Sequence, residues 1–173
     1  MTRKTLCSSL SILLLPTLVG AGDFRLADAL MKSCLQTFSS TLHEALEDGP
    51  SDSRLMEVRG AASRDVELCA VLAIEVCSIG VLESQNKCFA KIETSFNQLR
   101  LETLAGLPEN VPGRVRSRIY QSALARARSA PHRLEPSPAV PPQLVGVLSE
   151  AFRLADARMA QRYQLYAQQE VQK

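Results

Sequence analysis

The sequence predicts an all-α fold: an antiparallel bundle of three to four helices stapled by disulfides, then a proline-rich linker and a C-terminal amphipathic helix. Three observations predict it. Apolar residues recur at three- and four-residue steps through most of the chain, and no stretch alternates as a strand would over five or more residues. Glycine and proline interrupt that pattern at a few sharply defined places. Four cysteines remain once an N-terminal leader is set aside, an even number suited to two bridges.

The leader comes first. Arg3 and Lys4 precede an apolar run from Leu10 to Val19, and Val19-Gly20-Ala21 offers small residues for a cut after Ala21. This is the charge, length and exit pattern of a secretory signal peptide over residues 1–21. The run falls short of the roughly 20 apolar residues a membrane-spanning helix needs. Cleavage removes two basic residues, no acid, and Cys7. The formal charge of +2 over 173 residues therefore belongs to the leader, and the mature chain is neutral. Its expected location is the periplasm or the exterior, where disulfides persist.

In the mature chain Phe24, Ala27, Met31, Cys34, Leu35, Phe38 and Leu42 form one helical face. Gly49-Pro50-Ser51-Asp52 supplies a turn. Leu55, Val58, Ala62, Val66, Cys69, Leu72 and Val76 give a second stripe, weakened at Gly60 and ended by Gly80. Phe89, Ile92, Phe96, Leu99 and Thr103 mark a third helix, stopped by Gly106 and Pro108. A fourth begins near Pro112, where a first-turn proline is tolerated, and continues through Val115, Ile119 and Ala123. The bundle thus occupies residues 22–130. Residues 131–142 hold five of the nine prolines and read as an extended linker. Leu144, Leu148, Phe152, Ala155, Met159, Tyr163 and Tyr166 give a last stripe over 143–173, placed either against the bundle or projecting from it. The hexapeptide Phe24–Ala29 recurs as Phe152–Ala157 with no longer repeat around it, which reads as coincidence.

Helix geometry constrains the cysteines. Cys69 and Cys77 fall in one helix, about 12 Å apart along its axis, whereas a bridge needs Cα atoms within about 7 Å. Residues equidistant from a turn face each other in a helical hairpin. Cys34 and Cys69 are centred on the turn at 49–52, and Cys77 and Cys88 just beyond Gly80. This favours Cys34–Cys69 and Cys77–Cys88; the alternative, Cys34–Cys77 with Cys69–Cys88, shears both hairpins. With no Cys-x-x-Cys and no zinc spacing, the cysteines read as structural.

Chemistry is sparse. His43 and His132 have no second His at ligand spacing, and no nucleophile elbow, phosphate loop or metalloprotease motif is present. The expected reading is a non-enzyme without metal or cofactor. Charge is nonetheless patterned. Residues 43–67 carry seven acids against three Arg, and residues 110–134 carry six Arg and no acid. These are either two solvated faces or a dipolar surface. In the second case Glu44, Glu47, Asp48 and Asp52 would meet a basic partner. Arg114, Arg116 and Arg118 would meet an anionic one, such as a phospholipid headgroup, lipopolysaccharide or acidic protein. Nucleic acid is not expected in an exported chain with only 5% aromatics to stack on bases.

Cys69-Ala-Val-Leu-Ala-Ile-Glu-Val-Cys77, followed by Cys88-Phe-Ala-Lys-Ile-Glu-Thr-Ser-Phe96-Asn97, resembles the exported lysozyme-inhibitor family of the LprI type. Cys34 matches an earlier Cys of that pattern, Cys88 its third, and Phe96 the aromatic that follows. Asn97 stands where that family has an acid, and Arg100–Leu104 replaces its Leu-Asn-x-x-Tyr segment. The similarity spans about residues 34–104. It implies a small helical protein of the bacterial envelope that binds another protein, a lysozyme among the candidates. The competing expectation is a structural or assembly factor of an envelope complex, with the linker and last helix carrying the partner contact.

Overall fold

Long runs of helix-forming residues separated by glycine and proline produce five helices among the described residues, with no strand among them. The computed structural model describes residues 23–47, 52–130 and 140–171, and their side chains outside 39–47, 52–62, 114–116 and 169–171. The leader lies outside the described residues. So do Asp48, His132 and most of the proline-rich linker. Helix α1 spans Phe24–Glu47, α2 Asp52–Cys77, α3 Leu82–Ala105, α4 Arg114–Arg128 and α5 Pro142–Val171. Asp52, expected in the first turn, is instead the first residue of α2, which runs through Gly60 unbroken. Pro112 lies outside α4 rather than in its first turn. Gly113 takes the N-cap position at φ 88°, a conformation that favours glycine.

Two disulfides set the register of the first three helices. Cys34 bonds Cys69 with Cα atoms 5.6 Å apart, and Cys77 bonds Cys88 at 5.4 Å. The first lashes α1 antiparallel to α2; the second closes the α2–α3 turn. Cys69, Cys77 and Cys88 are buried in the core they tie together.

Helix α5 is the axis of the molecule. It packs along α2, α3 and α4. Its N-terminal half gives Val147, Ala151 and Leu154 to a core shared with Met31, Leu35, Ile92 and Phe96. Its C-terminal half gives Met159, Ala160 and Tyr163 to a second core with Tyr120 and Leu124 of α4 and Leu107 and Val111 of the preceding loop. A helix enclosed by several neighbours is apolar on more than one stripe, and alanines at 151, 155, 157, 160 and 167 let those neighbours approach. This corrects the single face read from the sequence. Phe152, expected inside, is half exposed, and so is Leu72 of α2, because the buried side of α2 runs through Val66, Cys69, Ala70, Ala73 and Cys77.

Polar ties hold α5 to every other helix. Buried Arg100 of α3 donates from Nε to Oε2 of buried Glu150 at 3.1 Å, and from Nη1 to the Ala127 carbonyl of α4 at 3.0 Å. A second cation, Arg153, donates to Oε1 of the same Glu150. Arg162 pairs with Asp65 of α2 at 2.8 Å, and Arg158 donates to the Leu35 carbonyl of α1. Burial, reinforced by the Arg162 charge, lowers the pKa of Arg158, while Asp65 opposes that shift. Gly146 of α5 leaves room for the Glu93 carboxyl of α3, which lies where a Cβ would be. With Arg100 level with Glu150, this shows that α3 and α5 run in the same direction.

Tyr120 anchors α4. Its ring is fully buried and its hydroxyl donates to the Pro108 carbonyl. Burial raises its pKa above the ordinary value of 10.0. A raised folded-state value means that the neutral phenol stabilises the fold below about pH 10, and that this contribution is lost as pH climbs above that point. Urea midpoints measured between about pH 8 and pH 11 should fall more steeply for the wild type than for Tyr120→Phe; parallel curves would show that the phenol does not report on folding.

Candidate binding surfaces

The arginine-rich helix is less cationic in three dimensions than along the chain. Arg126 donates from Nε and Nη2 to Oδ1 of Asp156 on α5, at 2.9 and 2.7 Å, and from Nη1 to the Ser122 hydroxyl. Arg128 forks onto both carboxylate oxygens of Glu109, in the loop before α4. The Arg128 guanidinium holds the Glu109 carboxyl below its usual range, and Glu109 in turn raises Arg128. Two of the six arginines thus have acids supplied from elsewhere in the chain. Arg118 is exposed and has no ion pair among the described residues. It borders a shallow groove of about 180 Å³ whose lining includes Ile119, Ser122, Arg126 and Met159. The side chains of Arg114 and Arg116 lie outside the described residues.

The acidic region is only partly visible. Glu44, Glu47 and Asp52 belong to α1 and α2, but their side chains, like all of Asp48, lie outside the described residues. Asp65 is spent internally on Arg162, whereas Glu67 is exposed.

The surface that sequence reasoning missed is the α2–α3 turn. Turns are usually polar, yet here Ile79, Val81 and Leu82 are 53%, 70% and 62% exposed. The chain can turn because Gly80 adopts φ 106°. Gln85 then reaches back, and its Nε2 donates to the carbonyls of Ser78 and Gly80, both at 2.8 Å. The Ser84 hydroxyl donates to the Val81 carbonyl and the Ser78 hydroxyl to the Ile74 carbonyl. Beneath them Cys77–Cys88 ties the two helix ends. The result is an aliphatic tip on a braced support. Its signal in the sequence was Ile79-Gly80-Val81-Leu82, an apolar run around a glycine that ends a helix.

Replacing Gln85 with Ala removes both side-chain bonds at an exposed site. Stability should change by about 1 kcal/mol or less, while amide exchange across residues 78–82 should accelerate. Unchanged protection would assign the bracing to the disulfide alone.

Among the described residues, no helix is long and apolar enough to cross a membrane, and no group of three or more His, Cys, Asp or Glu side chains could hold a metal ion. No family model, curated protein or solved structure matches the chain.

Proposed function

We propose that this chain is an exported envelope protein that acts by protein–protein contact, as an inhibitor of an envelope enzyme of the lysozyme class. The observation that carries this reading is the braced aliphatic tip at Ile79, Val81 and Leu82. Binding energy concentrates in a few side chains that fill a pocket on the partner. A tip already held in one conformation loses less entropy on docking than a mobile loop would. Two disulfides suit an oxidising compartment, and the signal-peptide pattern and the LprI-type resemblance point the same way. In this reading the tip enters an apolar cleft, and the acidic region around Glu44, Glu47, Asp48 and Asp52 lies against basic protein surface. An assembly factor would be served by the same tip. The last helix, by contrast, is occupied with its own bundle, so deletion of residues 131–173 would remove part of both cores.

Purified mature protein should lower muramidase activity in proportion to dose. The double variant V81D/L82D, altered only at exposed positions, should keep its circular dichroism and lose at least tenfold in potency. Absence of inhibition by the wild type at about 10 μM, well above the affinity of an ordinary specific complex, would remove the inhibitor reading. Equal inhibition by both proteins would move the contact away from the tip.

A further inference from the structure

The outer side of α2, facing away from the core, carries a row with a property of its own. Arg64, Leu68, Val71 and Glu75 follow one another at steps of four, three and four, so they share one helical face. All four are exposed, Leu68 by 55% and Val71 by 44%. Leu72 lies beside them at 42%, and Leu26 and Leu30 of α1 are each 40% exposed. The Cys34–Cys69 bridge sets Leu30 level with Ala73, so these α1 leucines extend the apolar strip across the α1–α2 seam. Half-exposed aliphatic side chains gathered in one place, rather than scattered singly, are the kind of surface that marks a contact site.

We infer that this face is a two-fold interface between two copies of the chain, with α2 packed antiparallel to α2 of the partner. The charge pattern selects both the occupant and the direction. Arg64 and Glu75 are centred on the same point of the helix as Leu68 and Val71, between residues 69 and 70. A two-fold axis through that point sets Leu68 against the partner's Val71 and Arg64 against the partner's Glu75, and each contact occurs twice. A parallel arrangement would instead set Arg64 against Arg64 and Glu75 against Glu75, which is repulsive. A row that complements itself when reversed is what an isologous contact requires. The Leu72, Leu30 and Leu26 side chains flank the axis and widen the apolar centre. The two α2–α3 tips then lie at opposite ends of the dimer. The inference rests on the row from Arg64 to Glu75 and does not depend on the inhibitor reading.

Sedimentation velocity on the mature protein, residues 22–173, over a range of concentrations tests it. The expected result is a dimer that dissociates on dilution. The single variants R64E and E75R each replace two attractive rim contacts by two repulsive ones and should weaken dimerisation about tenfold. The double variant R64E/E75R restores opposite charges and should regain wild-type affinity. L68D places two carboxylates in the apolar centre and should leave a monomer with unchanged circular dichroism. A wild type that stays monomeric at about 100 μM, weaker than an ordinary specific dimer, overturns the inference. So does a dimer indifferent to L68D, or single swaps that the double swap fails to rescue.

Discussion

Replacing Glu150 with Ala is expected to destabilise the protein by about 3–5 kcal/mol, the usual loss when one partner of a buried ion pair is removed. The reason is a local imbalance of charge. Glu150 and Arg100 are each only 6% exposed, and the Arg153 side chain is nearly as buried. One carboxylate therefore serves two guanidiniums, accepting from Arg100 at Oε2 and from Arg153 at Oε1. Arg100 has other acceptors, the Ala127 carbonyl and the Asn97 side chain. Arg153 has less, since its Nε is buried with no hydrogen-bond partner. Among the described residues Glu150 is the acid paired with either guanidinium, so its loss leaves two buried cations without that counter-charge. Glu150→Gln keeps the shape and one acceptor oxygen, so its cost should be smaller. Arg153→Met removes the surplus cation while keeping the apolar stem, and should be nearly neutral. Urea unfolding of the three variants gives the order E150A, E150Q, R153M from most to least damaging. A loss below about 1 kcal/mol for E150A would mean that water rather than Glu150 solvates the guanidiniums.

That ion pair marks where the sequence stopped being readable. Helices separated by glycine and proline were legible because periodicity and turn residues are local signals. The cysteine pairing was legible because a short turn makes two helices antiparallel, which converts sequence distance into spatial level. Cys34–Cys69 and Cys77–Cys88 are the pairs favoured on that argument and the pairs in the structure. How the last helix packs was not legible. The hexapeptide shared by α1 and α5 shows why. Ala27 and Ala155, at equivalent positions, are both buried. Phe24 is partly buried against the core, with the Lys91 ammonium 5.3 Å from its ring centroid, while Phe152 is half exposed. The local sequence is identical, and a neighbouring helix stands over one phenylalanine but not the other. Charge failed for the same reason. Residues 110–134 hold six arginines and no acid, yet Arg126 and Arg128 meet Asp156 and Glu109, which lie outside that window, Glu109 in the loop before it and Asp156 on α5. The apolar tip was overlooked because a stripe argument discards residues that fall in turns.

The two disulfides should differ in what their loss does. Cys34–Cys69 spans 35 residues and Cys77–Cys88 spans 11. In the chain-entropy account a longer closed loop restricts the unfolded state more, which gives about 4 kcal/mol for the first bridge and about 3 kcal/mol for the second. C34A/C69A should therefore be the less stable double variant in urea, and with only about 5–15 kcal/mol available to a domain of this kind, losing both bridges should leave it near its unfolding threshold at 37 °C. Function should follow the opposite order. Cys77–Cys88 lies directly under the tip, so C77A/C88A should free Ile79, Val81 and Leu82 and, if the chain inhibits a muramidase as proposed, weaken that inhibition more than C34A/C69A does. The proposed dimer face depends on the other bridge, because Cys34–Cys69 fixes how Leu26 and Leu30 sit beside α2. C34A/C69A should accordingly weaken self-association while leaving the tip braced by Gln85. Measuring stability, inhibition and sedimentation on the same two variants separates the three effects. If C77A/C88A proved the less stable, loop entropy would not be the governing term; if both variants lost inhibition equally, rigidity of the tip would not be what the partner reads.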